Sequence, residues 1–129
     1  MSPITRVAVL AETLALFGPI TLVLFMAPIG VLAALGGGHA SAALLVALAL
    51  AGGIGLYMVL NLAAHAVDAT HSLPATPYVL LGVALGLGAA LVVLWLEPKT
   101  PWLLAVVVGP LVGSAHLLWL NRRALWPAA

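Results

Sequence analysis

The stretch TLALFGPITLVLFMAPIGVLAAL, residues 13–35, decides the fold because it contains no charged side chain. The region without Asp, Glu, Lys or Arg extends from Glu12 to Asp68. This region has room for two membrane-spanning helices, since about 18 consecutive apolar residues already indicate one span. In the whole chain 65% of the residues are hydrophobic and 5% are charged, whereas soluble domains carry about 25% charged residues. The sequence therefore predicts an all-α integral membrane protein.

Short polar connections divide the chain into apolar segments, each near the roughly 20 residues that cross a bilayer. The predicted spans lie at about residues 13–35, 42–67, 78–96 and 102–120. Because the connections at residues 36–41, 68–77 and 97–101 are short, sequential helices are expected to be antiparallel neighbours. We therefore predict an up-down bundle of four transmembrane helices that forms a single domain over residues 1–129.

The basic residues give the predicted bundle an orientation. Arg6, Arg122 and Arg123 fall on one side of it, and Lys99 falls on the other. The positive-inside rule then puts both termini in the cytoplasm, in a bacterial-type inner membrane. The first apolar region contains Glu12 and is longer than the core of a secretory signal peptide, so we expect it to remain as the first span.

Composition and motifs exclude several classes of function. The net charge of +1 is too small for the basic surface that binds nucleic acid. The chain has no cysteine, which excludes disulfides, thiolate catalysis and cysteine-ligated metals. Ser-His-Asp, Walker and HExxH patterns are absent, so a non-catalytic role is expected before an enzymatic one. The expected partners are the lipid bilayer and either a second copy or another membrane protein.

Small residues recur every four positions on three of the segments. Such a strip is flat and lets two helix backbones approach closely, although a chain this rich in Gly and Ala also produces the spacing by chance. The matched strips of the third and fourth segments predict a close hairpin between them. The strips are Ala47, Ala51 and Gly55, then Gly82, Gly86 and Ala90, and finally Ala105, Gly109 and Gly113.

The second segment carries a polar stripe. Tyr57, Asn61, His65 and Asp68 are spaced i, i+4, i+8 and i+11, which puts them on one helix face. Because lipid penalises polar groups, this face is expected to point toward the other helices.

Other titratable residues reach the same end of the predicted bundle. With alternating helix directions, Glu12 at the start of the first segment and His116 near the end of the fourth come to the end that holds His65. We predict that His65 and His116 face each other or a shared cavity there, with Asn61 and Asp68 beside His65. His71 is expected to be a solvated loop residue. Each of these groups also has an ordinary structural interpretation, such as a helix end, an interfacial ion pair or a hydrogen bond between helices.

Three functions remain open for this polar cluster. The first is an accessory or interaction subunit of a membrane assembly, a role that needs no motif. The second is a small proton- or cation-coupled transporter, because a membrane carboxylate with titratable histidines suits proton exchange. The third is a cofactor site, in which His65 and His116 ligate a b-type haem or take part in holding a metal.

One segment resembles a known family. The stretch VAVLAETLAL, residues 7–16, has an acidic residue, Glu12, in the first apolar helix. In this feature, in length and in four predicted spans the chain resembles the small multidrug resistance transporters. The resemblance covers this segment alone, and it implies a proton- or cation-coupled transporter that works as a homodimer.

Overall fold

The computed structural model describes residues 2–37, 39–96 and 103–127, which are almost entirely helical and contain no strand. The helices are α1 (Pro3–Gly37), α2 (His39–Val67), α3 (Thr76–Leu96), α4 (Leu103–Leu120) and the short α5 (Arg122–Leu125). The prediction of an all-α fold is confirmed for this part of the chain. By length and composition, α1, α2 and α3 are each able to cross a membrane, and α4 contains a shorter apolar run, Leu104–Leu120.

The helix bounds differ from the predicted spans at the N-terminal half. Helix α1 begins at Pro3, well before residue 13, and its 35 residues extend over about 52 Å at 1.5 Å per residue. Glu12 therefore lies inside α1 rather than at its start. Helix α2 begins at His39, so most of the predicted turn at residues 36–41 is helical. The predicted connection at residues 97–101, with Lys99, lies outside the described residues.

Helices α1 and α2 run in opposite chain directions. On the α1–α2 contact, Gly52 faces Leu24 and Gly30 faces Leu45, so residue numbers rise along α1 as they fall along α2. Helix α2 packs on α1, α3 and α4, and α4 also packs on α1 and α3. Helices α2 and α4 therefore each contact all of the other long helices.

The glycines of α3 form the closest backbone approach to α2. A Cβ atom added to Gly86 would lie 2.7 Å from Gly55 Cα, and one added to Gly82 would collide with the Met58 side chain. Real Cβ atoms essentially never come this close to a backbone atom, so only glycine fits at Gly55 and Gly86 without a shift of the helices.

The glycines of α4 face α1. A Cβ added to Gly109 would lie 2.6 Å from the Leu16 carbonyl oxygen, and one added to Gly113 would lie 2.6 Å from the Phe17 ring. The strips of α3 and α4 thus pack on α2 and α1, and the prediction that they face each other is wrong. A small-residue spacing indicates a flat face, but it does not identify the neighbour that uses it.

The core lies toward the end of the bundle where α1 begins and α2 ends. Leu62 and Val79 are fully buried there, and the same cluster extends to Leu117 and Leu125. Near the middle, where Gly55 approaches Gly86, the helices leave a cavity of about 20 Å³ that Ser114 also lines. This is room for about one water molecule.

Candidate functional site

Polar contacts concentrate at one end of the described structure, where α1 and α3 begin and α2 and α4 end. The buried Asn121 donates from Nδ2 to the Leu62 carbonyl at 3.0 Å, which ties the end of α4 to α2. Thr76 Oγ1 donates to the Leu125 carbonyl at 2.9 Å, which ties the start of α3 to α5. Sequence reasoning singled out neither Asn121 nor Thr76. The available signal was an amide directly after the apolar run of α4.

The nearest contact between titratable groups joins α1 to α4. Nδ1 of His116 lies 2.7 Å from Oε1 of Glu12, and 38% of each side chain is exposed. The pair, called the acid–base pair below, continues the line along which Gly109 and Gly113 pack on α1. The acid–base pair therefore lies where α1 and α4 meet, and both helices are apolar before and after it.

The acid–base pair is followed by a stack of side chains that leads to the helix end. The His116 ring stacks on Trp119, with centroids 6.3 Å apart and an interplanar angle of 23°. The Arg122 guanidinium lies 4.2 Å from the centroid of the same indole, a cation–π arrangement. Its Nη1 also donates to the Trp119 carbonyl at 2.8 Å. Arg122 is thereby held beside Trp119 at the basic end of the chain.

A second polar network, the loop clamp, consists of Asn61, His65 and His71. The His65 Nδ1 lies 2.6 Å from the His71 carbonyl, which only accepts, so this nitrogen carries the hydrogen. Asn61 Nδ2 donates to the Tyr57 carbonyl at 2.8 Å, which turns Oδ1 toward His71. His71 Nε2 then donates to that oxygen at 3.0 Å. The clamp folds the loop after α2 back onto the last turns of the helix.

The remaining members of the predicted stripe serve other roles. Asp68 Oδ1 accepts from the Thr70 hydroxyl at 2.7 Å and from the Thr70 backbone N–H at 3.0 Å, so it closes a turn. The hydroxyl bond, followed by the backbone bond, holds the pKa of Asp68 below its ordinary value of 3.8. Tyr57 is 61% exposed and takes part only through its carbonyl.

The predicted grouping around His65 is therefore realised in part. Asn61 joins His65 through His71, which lies exposed in the loop after α2, as expected. His116 pairs with Glu12, and in the described ranges no hydrogen bond joins it to His65. Those ranges also contain no group of three or more His, Asp or Glu residues that is placed to hold a metal ion.

The two networks differ in what they are able to do chemically. The loop clamp uses nitrogens that keep their hydrogens when either ring is protonated, so its bonds tolerate a change of charge. The acid–base pair joins a carboxylate to an imidazole and is able to hold one proton between two helices. Comparisons of the chain with known protein families, with curated proteins and with solved structures found no match.

Proposed function

We propose that this chain is an integral membrane protein that acts as an interaction subunit of a membrane assembly, in which protein rather than lipid covers the face formed by α1 and α4. The observation that carries the proposal is the acid–base pair, because Glu12 and His116 each expose 38% of the side chain between two apolar helices. Hydrocarbon around such groups is costly, and ionisable groups within membrane segments are almost always turned toward protein or a water-filled cavity. A protein surface over the pair removes that cost.

The membrane location is supported by the apolar helices and by the burial pattern. Large apolar side chains are exposed along α1, α2 and α3, including Phe25 at 81% and Leu32 at 70%. In water such a surface would be an aggregation site, whereas in a bilayer it is the ordinary lipid-facing surface. We propose α4 as the fourth span, since its apolar run continues to Leu120.

The contacts at the polar end favour an up-down arrangement of these spans. The acid–base pair brings the first part of α1 beside the last part of α4, and Asn121 brings the end of α4 beside the end of α2. This arrangement puts three arginines on one side of the membrane, and the positive-inside rule makes that side the cytoplasm of a bacterial-type inner membrane. These arginines are Arg6, Arg122 and Arg123.

Labelling of introduced cysteines tests the orientation, because the chain has none of its own. Cysteines at Ser2 and Ala128 are expected to react with an impermeant reagent from one side of the membrane, and a cysteine at Lys99 from the other. Reaction of the Lys99 and Ala128 positions from the same side contradicts the four-span topology without bearing on the acid–base pair.

The transport alternative has one observation in its favour, a titratable pair between apolar helices. Within one copy, however, the cavity of about 250 Å³ among the four long helices is lined by apolar residues alone and includes neither Glu12 nor His116. The titratable pair therefore does not line this cavity. The cofactor alternative is less favoured, because its two proposed ligands, His65 and His116, belong to separate hydrogen-bond networks.

Purification from native membranes in a mild detergent tests the interaction role. We expect the tagged chain to bring down another protein at fixed stoichiometry, and the double variant Glu12→Gln, His116→Gln to lose it. Tyr57→Phe is the matched control, because the exposed ring of Tyr57 lies on α2, away from the α1–α4 seam. A self-assembled species with no other protein favours transport. A monomer with bound lipid alone contradicts the proposal.

A further inference from the structure

The surface around the acid–base pair is built for close contact. On α1, Ala8 and Ala15 lie one turn before and one turn after Glu12, and both are exposed. On α4, Val112 and Ala115 are exposed beside His116. The small side chains of Ala8, Ala15 and Ala115 let a second pair of helices approach the acid–base pair closely. These exposed residues, together with the acid–base pair, form what is called the α1–α4 face below.

The acid–base pair has unused hydrogen-bonding capacity on this face. Glu12 Oε1 and His116 Nδ1 bond each other, whereas Glu12 Oε2 and His116 Nε2 have no hydrogen-bond partner among the described residues. An imidazolium donates from both nitrogens, and a carboxylate accepts at both oxygens. The pair therefore makes one hydrogen bond within its own chain, and Glu12 Oε2 and His116 Nε2 are able to bond a second molecule.

We propose that the occupant of the α1–α4 face is the same face of a second copy, related by a two-fold axis along the membrane normal. Copies inserted in the same orientation admit only this axis. A half-turn about this axis keeps every residue at its depth in the membrane. It reverses the left and right sides of the α1–α4 face. Because Glu12 and His116 lie at one depth, 2.7 Å apart, Glu12 of each copy then faces His116 of the other.

The result is a closed ring of two carboxylates and two imidazoliums. Within each copy the bond runs from Nδ1 to Oε1, and between copies it runs from Nε2 to Oε2. The ring is neutral as a whole, and each of its four groups has an opposite charge on both sides. In an isologous dimer the same patch of both copies forms the interface, so the patch must be complementary to itself. An acid beside a base at the same depth meets this requirement. Lipid offers no equivalent partner.

This inference rests on the part of the proposed function in which protein covers the α1–α4 face. The dimer, rather than the single chain, is then the unit that the rest of the assembly binds. Helix α1 of one copy lies antiparallel to α4 of the other, because within one chain Gly109 faces Leu16 and His116 faces Glu12, so α1 and α4 run in opposite directions.

Disulfide crosslinking between differently tagged copies tests the interface. Ala15 lies three residues beyond Glu12 and Val112 lies four residues before His116, so the two positions share a depth. We expect an Ala15→Cys copy to crosslink to a Val112→Cys copy in native membranes. The matched control pairs Leu60→Cys with Leu81→Cys, which are exposed on α2 and α3 and are not expected to crosslink.

A charge exchange tests the ring itself. The double variant Glu12→His, His116→Glu keeps an acid–base pair within the chain and is expected to dimerise with itself. Mixed dimers with the unaltered chain would place acid against acid and base against base, so we expect them at about one tenth of the statistical frequency, in line with the cost of like-charge contacts.

The outcomes separate this inference from the proposed function. Mixed dimers at the statistical frequency, or no product between Ala15→Cys and Val112→Cys, overturn the second copy as occupant. If those same positions then crosslink to a different protein, the interaction role stands. If the chain purifies as a monomer whose α1–α4 face contacts lipid alone, the inference and the proposed function both fail.

Discussion

The middle of the bundle and its polar end attach α2 to neighbouring helices by different means. In the middle, Gly86 meets Gly55 backbone to backbone, so an added Cβ would lie 2.7 Å from a Cα atom. At the polar end, Asn121 reaches α2 through a side-chain hydrogen bond of 3.0 Å. The contact in the middle therefore requires that Gly55 and Gly86 have no side chain, whereas the contact at the polar end requires the side-chain amide of Asn121. The middle is expected to be the less tolerant of change, because a backbone is unable to rotate away.

The largest effect is expected at the glycine contact. Gly86→Ala forces α2 and α3 apart or strains them, and overpacking of this kind costs about 1–3 kcal/mol. The measurement is the thermal stability of the purified protein in detergent. Gly88→Ala on the same helix is the control, because nothing lies within 4 Å of its added Cβ. Equal stability of the two variants would mean that the close contact is not a determinant of the fold.

A smaller loss is expected at the buried amide of the polar end. Asn121→Ala removes the bonds to Leu62 and Leu117, and hydrogen bonds between membrane helices contribute about 0.6 kcal/mol on average. Oδ1 of Asn121 is buried without a hydrogen-bond partner among the described residues, which lowers the net gain of the native residue further. Asn61→Ala is the matched amide, which is expected to free the loop after α2 without lowering the melting temperature of the bundle. A loss for Asn121→Ala as large as that for Gly86→Ala would remove the distinction between the two regions.

The smallest effect concerns the turn after α2. Because the folded-state pKa of Asp68 lies below the ordinary 3.8, the stabilisation of this turn is complete above that pH and is lost as the pH falls through the lowered value. Thr70→Val removes the hydroxyl, the main cause of the shift, so the pKa of Asp68 is expected to rise toward 3.8. Carboxyl titration by NMR measures this shift, and Thr76→Val is the control. An unchanged pKa in Thr70→Val would assign the shift to another group.

The sequence was sufficient for the helices but not for their neighbours. Long charge-free runs predict apolar helices because few other structures satisfy so many buried backbone groups in lipid. The glycine spacing correctly identified flat faces, as Gly86 and Gly109 show. It did not reveal that these faces pack on α2 and α1, because periodicity within one helix contains no information about the rotation of another.

The same limit applies to the candidate site. Glu12 and His116 were both recognised as polar groups that reach one end of the chain, but His116 was assigned to His65 rather than to Glu12. The pairing depends on how α1 and α4 rotate about their axes, which the contacts of Leu16 and Phe17 with the α4 glycines fix. His71 is an exposed loop residue, as expected, but its bond to Asn61 was not predicted, because only the folded loop brings the two side chains together.

The central claim is that protein, rather than lipid, covers the α1–α4 face. Its most direct test is a photoreactive phenylalanine derivative at Ala15, beside the acid–base pair, irradiated in native membranes. The control is the same residue at Leu81, which is 59% exposed on α3. The account predicts a protein adduct at Ala15 and lipid adducts at Leu81. Lipid adducts alone at both positions would contradict it.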